Sequence, residues 1–154
     1  MIKTASVADS KAVAELAILM WGGHTIDELT ADFAEIIGSD TAVCFIKYID
    51  DTPIGFAQCG LRFDYVEGTE SSPVGYLEGI FIKEEHRNTG YAKELLRACE
   101  QWAKSKGCRE FASDCELSNI NSLNFHLAMG FEEANRIICF KKEICGYEVE
   151  HETF

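Results

Sequence analysis

One stretch, GYLEGIFIKEEHRNTGYAKELLRACEQWAKSKG over residues 75–107, constrains the fold more than any other part of the chain. It begins as an apolar, strand-like run interrupted by Gly79. It ends as an amphipathic helix over 90–106 that Gly107 terminates. The loop between them is charged and contains no proline and no acidic cap. A strand that passes directly into a long helix predicts a β-α-β unit, with REFASDCEL as the neighbouring strand.

The rest of the chain alternates between strand and helix patterns. IKTAS predicts a short strand, and residues 6–23 and 25–38 predict two helices. Two β-rich runs, TAVCFIKYID and TPIGFAQCGLRFDYV, are separated by Asp50-Asp51, which indicates a hairpin. NINSLNFHLAMG predicts a short helix, and FEEANRIICFKK predicts a final pair of short strands. The order β-α-α-β-β-β-α-β-α-β predicts a mixed α/β sheet flanked by helices.

Length and composition favour one globular unit. The 154 residues are 47% hydrophobic, so we expect a single domain over 1–154, in which 142–154 form a tail or an extra strand. Seven cysteines lack C-x-x-C pairs and zinc-like spacing, so we expect buried thiols in a reducing compartment and no metal site. Because no apolar signal core or run of ~18 apolar residues is found, the chain is expected to be cytoplasmic.

The charge balance is strongly acidic. Lys and Arg total 14 against 26 Asp and Glu, which gives a net charge of −12. Such a chain repels nucleic acid and anionic membranes and attracts cationic partners. The same charge is also consistent with a role in solubility alone. It therefore sets the direction of the search, towards a cationic small molecule, without defining a function.

The sequence RNTGYA, residues 87–92, stands where the long helix begins. The first turn of a helix has backbone amides without internal partners, and the helix dipole adds positive potential there. Gly90 permits close approach of a ligand to the backbone, and Arg87 adds a full positive charge. Together they predict a site for a phosphate or pyrophosphate. From residue types alone, an ordinary strand-to-helix loop with a surface arginine fits about as well.

The order of these motifs resembles that of the GCN5-related N-acetyltransferase (GNAT) superfamily. R-x-x-G-x-A at 87–92 resembles its pyrophosphate motif, LEGIFI at 77–82 resembles its β-bulge strand, and Asn119 precedes a short helix that ends in Gly130-Phe131. The resemblance covers residues 1 to about 141. Within the superfamily, the chain is similar to the aminoglycoside 6′-N-acetyltransferases, as carried by the segments MWGGHTIDEL, DYVEGTESSPVGYLEGIFI, EFASDCEL and HLAMGFEE.

This resemblance implies a mostly antiparallel GNAT-like central sheet, acetyl-CoA as acyl donor, and a primary amine of an aminoglycoside antibiotic as acceptor, the activity of a resistance enzyme. It implies that the pantetheine arm pairs with the bulge strand and that the pyrophosphate lies on the loop and the first helical turn. The cofactor-binding residues so implied are Ile80, Phe81, Ile82, Arg87, Asn88, Thr89, Gly90, Tyr91, Ala92 and Asn119.

The chemistry of amine acylation agrees with the residues near this motif. An ammonium group must lose a proton before it attacks a thioester, and a carboxylate can accept that proton directly or through water. Glu78 and Asp114 lie on adjacent predicted strands, where two carboxylates facing one cleft would also hold a cation, although Asp114 also fits a cap or turn position. A bulge near Gly79 would free the amide of Ile80 or Phe81 to stabilise an oxyanion.

The remaining candidates follow from the resemblance. His126 stands where many superfamily members carry a tyrosine that protonates the leaving thiolate, so it is a candidate general acid, although a packed histidine fits equally well. Trp21, at a predicted helix end, fits either a substrate wall or the core. The implied acceptor-binding residues are Trp21, His24, Tyr65, Glu78, Asp114 and Glu133.

Three alternatives for the function and one prediction about the oligomeric state remain open at this point. The acceptor is an aminoglycoside, or a polyamine or other small biogenic amine, or the fold serves as a non-catalytic acyl-CoA sensor. Glu78, Asp114 and the bulge argue against the sensor.

The flat, apolar NRIICFKK segment at 135–142 predicts a homodimer with two-fold symmetry, because late edge strands can pair between subunits.

Overall fold

The computed structural model describes residues 1–145 of the chain. Five strands and four α-helices follow one another as β1 (Ile2–Thr4), α1 (Ser10–Ala17), α2 (Ile26–Ile37), β2 (Ala42–Ile49), β3 (Thr52–Arg62), β4 (Val74–Ile82), α3 (Tyr91–Ser105), β5 (Phe111–Ser113) and α4 (Ile120–Ala128). The strands form one sheet in the order β1-β2-β3-β4-β5. All neighbours are antiparallel except the parallel pair β4 and β5. The predicted mixed, mostly antiparallel sheet with its β-α-β unit is confirmed.

The strand registers follow from two local features. A two-residue turn at Asp50-Asp51 connects β2 to β3, and Asp50 adopts a positive φ of 53°, which confirms the predicted hairpin. Between β3 and β4 the register shifts, because Gln58 lies opposite Gly79 while Cys59 lies opposite Leu77. The extra residue of this β-bulge is Glu78, and the bulge lies in the strand for which it was predicted.

Helices cover both faces of the sheet and divide the core. On one face, α1 and α2 pack through Val13, Leu16 and Phe33 against Phe56 and Phe81 of the sheet. On the other face, Leu95, Leu96 and Cys99 of α3 pack against the sheet, chiefly on Ile54, Cys59 and Leu77. Because both faces are covered over the middle of the sheet, a ligand can reach β4 only at its ends or along its outer edge.

The cysteines divide into two groups. Cys44, Cys59 and Cys99 are buried, as predicted, and burial raises the pKa of the Cys44 thiol to about 12. Cys108 is half-buried, whereas Cys115, Cys139 and Cys145 are exposed. The expectation of burial is therefore right for the cysteines in β2, β3 and α3. It is wrong for those in the C-terminal third, because the predicted strands there do not form.

Several predicted elements are shorter than their patterns. The first helix ends at Ala17 and does not extend through Gly23, and β3 ends at Arg62, four residues before the predicted end. The second strand of the β-α-β unit forms only over Phe111–Ser113. After α1, the amides of residues 18–21 still donate to carbonyl groups of residues 14–17, so the chain continues as a turn. For the two strands, the pattern continues beyond the last paired residue, because the pattern reports burial as well as strand pairing.

The predicted pair of strands after α4 is wrong for the described residues. Residues 131–144 contain neither helix nor strand, and their apolar side chains Ile137, Ile138, Phe140 and Ile144 are largely exposed. An apolar run becomes a strand only when a neighbouring edge receives it, and no such edge meets this segment within the described part of one chain. Residues 142–145 form no extra strand, and 146–154 lie outside the described residues. No helix within 1–145 is long and apolar enough to cross a membrane.

Candidate active site

The outer edge of β4 is open over its second half. β5 pairs only with Gly75–Leu77, so residues 78–82 have no strand on that side within the described chain. The amide of Lys83 donates to Ile54 of β3, and backbone groups alternate in direction along a strand. The amides of Ile80 and Ile82 therefore face the open edge, and the Ile82 carbonyl accepts a hydrogen bond from Arg87 Nε at 2.8 Å. Phe81, in contrast, packs its ring against Phe56 in the core.

The loop between β4 and α3, residues 83–90, presents free donors at a helix N-terminus. Asn88 and Gly90 adopt positive φ values of 62° and 85°, and Gly90 caps α3. The amides of Asn88, Thr89 and Gly90 have no hydrogen-bond acceptor among residues 1–145. A Cβ at Gly90 would meet no atom within 4 Å, so the space in front of this backbone is open. Successive amides of this kind form an anion-binding concavity.

Lys47 of β2 supports this loop from behind and was not anticipated. Its Nζ lies 2.8 Å from Glu94 Oε2 in the first turn of α3 and 4.6 Å from the centre of the Tyr91 ring. The hydrogen bond with Glu94 is the main cause that raises the pKa of Lys47. The side chain is 9% exposed. Lys47 therefore ties the sheet to the start of α3, and its only sequence signal is a lysine within the apolar run CFIKYI.

A second group of side chains lies at the bulge and is called here the Glu78 cluster: Arg62, Tyr76, Glu78 and Asp114. Arg62 Nη2 lies 2.9 Å from Oε1 and 3.1 Å from Oε2 of Glu78. The guanidinium carbon of Arg62 lies 3.4 Å from the centre of the Tyr76 ring, and the Tyr76 hydroxyl donates to Asp114. Burial, followed by this bond, raises the pKa of Tyr76 well above its ordinary value.

The two predicted carboxylates therefore belong to one cluster. Glu78 leaves β4 at the bulge and Asp114 directly follows β5, so the parallel pairing of these strands brings the two together on either side of Tyr76. Arg62 and Tyr76 were not predicted. The alternation of β4 could have identified Tyr76, which lies two residues before Glu78. No local signal distinguishes Arg62 from a surface arginine.

His126 is held by protein groups at both ring nitrogens. Nδ1 lies 2.6 Å from the carbonyl oxygen of Ser122, so Nδ1 carries the hydrogen, and Nε2 lies 2.8 Å from Ser113 Oγ. The ring packs edge-on against Phe125 and Phe131. Ser113 Oγ also lies 3.2 Å from the carbonyl oxygen of Leu77, where β4 and β5 separate. This geometry favours a packed histidine, and the general-acid role of His126 stays a prediction.

Trp21 borders the bulge and also belongs to the core. Its indole stacks on Phe33 with ring centres 6.3 Å apart, and it meets Phe56 edge-on. A Cβ at Gly79 would approach Trp21 Cζ2 to 2.8 Å, so a side chain at position 79 would clash with the indole, and glycine fits there. Both readings of Trp21 are therefore compatible with its position, since one edge of the ring packs in the core and the other lies beside the bulge.

The other predicted acceptor residues are more dispersed. His24 lies 3.8 Å from Glu28 at the start of α2, and Glu133 pairs with Arg136 beyond α4. Neither has a hydrogen bond or ion pair to the Glu78 cluster in the described residues. Tyr65 is 75% exposed and lies in the loop after β3, where Leu61–Tyr65 line an open groove of about 410 Å³. Asn119 Oδ1 accepts the amide of Ser122 and caps α4.

Glu110 holds the loop that carries Tyr65 and was not predicted. Its Oε1 accepts the amide hydrogens of Glu70 and Ser71 at 2.9 and 2.8 Å, together with the Ser71 hydroxyl. The bond from the Ser71 side chain is the largest of the causes that lower the pKa of Glu110. Glu110 thus anchors residues 63–72 beside β5. Within 1–145, no three His, Cys, Asp or Glu side chains form a metal-binding group.

Comparison with known proteins identifies the family of this fold and site. The model of the Acetyltransferase (GNAT) family matches residues 11–131. The chain therefore belongs to this family, and the resemblance carried by the RNTGYA and LEGIFI motifs is confirmed.

Individual relatives agree with the closer resemblance. An aminoglycoside N(6′)-acetyltransferase type 1 of Salmonella typhimurium is 46% identical over 123 residues, which cover 80% of this chain and 85% of that protein. The structure of the aminoglycoside N-acetyltransferase AAC(6′)-Iy in complex with CoA superposes with a TM-score of 0.90 at 40% identity, covering 94% and 95% of the two chains. AAC(6′)-Iy in complex with the bisubstrate analogue CoA-S-monomethyl-acetylneamine superposes with a TM-score of 0.89, at 40% identity and 94% and 98% coverage.

Proposed function

We propose that the protein is an aminoglycoside 6′-N-acetyltransferase, which moves the acetyl group of acetyl-CoA to a primary amine of an aminoglycoside by direct attack. The observation that carries this proposal is the Glu78 cluster, in which Glu78, Asp114 and the face of Tyr76 meet beside the open edge of β4. Similarity to enzymes named for this activity, one of them bound to a bisubstrate analogue, supports the same acceptor class.

The backbone groups along the open edge of β4 fit acetyl-CoA. The outward amides of Ile80 and Ile82 offer a strand edge to amide groups, and the free amides of 88–90 offer an anion site. The open space before Gly90 leaves room for a ligand. When bound, acetyl-CoA supplies the thioester that is attacked. Residues of the chain that would hold it are Ile80, Ile82, Arg87, Asn88, Thr89, Gly90, Tyr91, Ala92 and Asn119, whereas the Phe81 side chain is committed to the core.

The chain's own groups then have distinct tasks. Glu78 and Asp114 orient the cationic acceptor, and Glu78 takes or relays the proton that the ammonium must lose. The outward amide of Ile80 is the donor aimed at the open edge, where it can stabilise developing negative charge. The net charge of −12 attracts a polycation from solution. Acetylation removes one positive charge from the antibiotic, which is the chemical basis of a resistance role.

A thiol-release assay tests the proposal. The full chain is mixed with acetyl-CoA and with kanamycin, with spermidine, or with no acceptor. We expect thiol release that depends on kanamycin. Thiol release with spermidine but not with kanamycin would indicate a polyamine acetyltransferase instead. Binding of acetyl-CoA without release in any mixture would indicate a non-catalytic acyl-CoA sensor.

The surroundings of the enzyme belong to the same proposal. We infer a single acetyltransferase domain over 1–154 that acts in the cytoplasm on cationic small molecules and binds neither nucleic acid nor membrane. Its acidity and the reduced state of all seven cysteines support this setting. Fractionation of expressing cells, with the activity followed in each fraction, measures the compartment directly.

We further infer a two-fold homodimer formed through residues 135–142. Ile137, Ile138 and Phe140 are 71%, 79% and 90% exposed, and α4 before them has no buried residue. A second copy is the occupant that supplies the strand edge that this segment lacks within residues 1–145 of its own chain. Light scattering at micromolar concentration should give twice the chain mass. Ile138→Asp should give a monomer, and Val7→Asp, at another exposed position, should remain dimeric. A monomeric parent protein would contradict the dimer.

A further inference from the structure

We infer that Arg62 is a specificity-determining residue, which occupies Glu78 as a resident cation in the free enzyme and gives way to the ammonium group of the acceptor. This inference rests on the proposed function. It adds to that function a residue that competes with the substrate, and it explains how a carboxylate at the bulge stays ordered before any acceptor binds.

The geometry of Arg62 is that of a bound cation. Arg62 stands at the end of β3, and two of its nitrogens contact Glu78, at 2.9 and 3.1 Å from Nη2 and 3.2 Å from Nε. Its guanidinium plane also lies over Tyr76, with the central carbon 3.4 Å from the ring centre. A carboxylate and an aromatic face are the two groups that a protein uses to hold an ammonium ion. Arg62 already contacts both the carboxylate of Glu78 and the ring face of Tyr76.

The carboxylate of Glu78 is occupied in this arrangement, because both of its oxygens accept hydrogen bonds from Arg62. For Glu78 to receive the amine, the pair must open. The side chains of Arg62 and Glu78 are 44% and 33% exposed, so water already reaches both ions. Separating the pair therefore does not require either charge to leave a low-dielectric interior. Replacement of one cation by another also keeps the charge of the site constant.

This exchange favours acceptors with several positive charges. A polycation can hold its other ammonium groups on the acidic loop that includes Asp64 and Glu67 while one group displaces Arg62. A monocation has no second contact with which to compete. The groove lined by Leu61–Tyr65 begins at Arg62 itself, so a displaced guanidinium can turn into open space.

The competing explanation is that Arg62 permanently positions Glu78. The two roles predict opposite kinetics. If Arg62 is a competitor, its removal strengthens acceptor binding and lowers KM for the aminoglycoside. If Arg62 is a static support, its removal disorders Glu78 and lowers kcat, while KM stays the same or rises.

The experiment compares Arg62→Gln and Arg62→Lys with the parent enzyme, at low ionic strength and saturating acetyl-CoA, with kanamycin varied. Lys3→Gln is the matched control, because Lys3 also forms an ion pair, with Asp9, but lies at β1 away from β4. We expect Arg62→Gln to lower KM for kanamycin about 1.5- to 5-fold, the range for loss of a partly exposed ion pair. Arg62→Lys should lower it less, since lysine pairs through one point. KM for acetyl-CoA should not change.

Several results would overturn the inference. An unchanged or higher KM for kanamycin in Arg62→Gln, with lower kcat, assigns Arg62 a static role. If that variant does not fold, Arg62→Lys decides, because a rise in its KM contradicts competition and a fall supports it. Turnover of kanamycin by the parent with unchanged KM in both variants contradicts only the role of Arg62. No turnover of kanamycin by the parent contradicts the proposed function and the role of Arg62 together.

Discussion

The two sides of β4 are built in different ways. On the outer edge, the proposed cofactor side consists mainly of backbone groups from one contiguous segment, 80–92. On the face at the bulge, the acceptor side consists of side chains from three separate places: Arg62 in β3, Tyr76 and Glu78 in β4, and Asp114 after β5. A backbone site tolerates many side chains, whereas a side-chain site depends on each residue.

This difference also sets how each side is stabilised. The proposed cofactor loop is supported by the pair of buried Lys47 with Glu94, whose side chain is half-exposed, and this pair joins the loop to β2. The acceptor side is supported by partly exposed contacts, such as Arg62 with Glu78 and the bonds that Glu110 makes to the loop 63–72. Buried contacts hold one geometry, and exposed contacts exchange with water and substrates. We therefore expect the acceptor side to adapt and the cofactor side to stay fixed.

The largest effect is expected at Glu78. Glu78→Gln keeps the shape of the side chain but removes the proton acceptor, so kcat should fall about 10²- to 10⁴-fold. Acetyl-CoA affinity should change little, because that ligand would be held by backbone amides on the other side of β4. Steady-state kinetics and calorimetry measure the two quantities separately.

The Asp114→Asn variant should be compared with Glu78→Gln, because the two carboxylates are expected to have different roles. If Asp114 orients the cation, its loss should raise KM for the aminoglycoside more than it lowers kcat. The reverse pattern, in which Asp114 controls kcat and Glu78 controls KM, would exchange the two roles. Losses of only a few-fold in both variants would show that proximity alone carries the reaction. A pH–rate profile identifies the base, since its acidic limb should vanish in the variant that lacks it.

The second largest effect is expected at Gly90, on the proposed cofactor side. Gly90→Val should weaken acetyl-CoA binding about 10- to 100-fold, because a side chain at this position enters the open space in front of the free amides. The positive φ of 85° also strains valine, by about 1–2 kcal/mol. Kanamycin binding in the absence of acetyl-CoA should not change.

Gly107→Val is a matched control for the strain. Gly107 has a φ of 90°, and an added Cβ there likewise meets no atom within 4 Å, but it lies at the opposite end of α3. Both variants should therefore lose similar thermal stability, while only Gly90→Val loses acetyl-CoA affinity. Equal acetyl-CoA affinity in the two variants, measured by calorimetry, would remove the helix start from the binding site.

The smallest effect is expected at Glu110. Its lowered pKa means that the carboxylate accepts its three bonds above the ordinary value of 4.5 and loses them as pH falls through the lower, folded value. The loop 63–72 should therefore be unchanged between pH 8 and pH 6. Glu110→Gln should increase the rate of proteolytic cleavage in this loop about 2- to 5-fold at neutral pH.

Glu100→Gln serves as the control for Glu110→Gln, since Glu100 is exposed on α3 and distant from the loop in sequence. It should leave cleavage unchanged. Cleavage of Glu110→Gln at the parental rate would show that the loop is held by other contacts, such as the bond from Ser72 Oγ to the carbonyl oxygen of Phe63.

The sequence by itself was sufficient for the features that lie within one continuous segment. The passage from β4 through the loop to α3 needs only apolar periodicity, a charged loop and Gly90, and all of these are local. The hairpin at Asp50-Asp51 is local as well, and the bulge beside Gly79 followed from the resemblance of LEGIFI to the family's bulge strand. The family followed from the same segments, because their order and spacing along the chain are visible without any fold.

The tertiary structure alone decided which distant residues meet. Arg62 faces Glu78 because the β3–β4 register and its one-residue shift place them on the same face, and no short pattern encodes a register. Lys47 is buried because α3 crosses above it, and 135–142 is exposed because no strand edge within the described residues 1–145 receives it. Local patterns report the preferences of a segment, whereas partners depend on the packing of elements far apart in sequence.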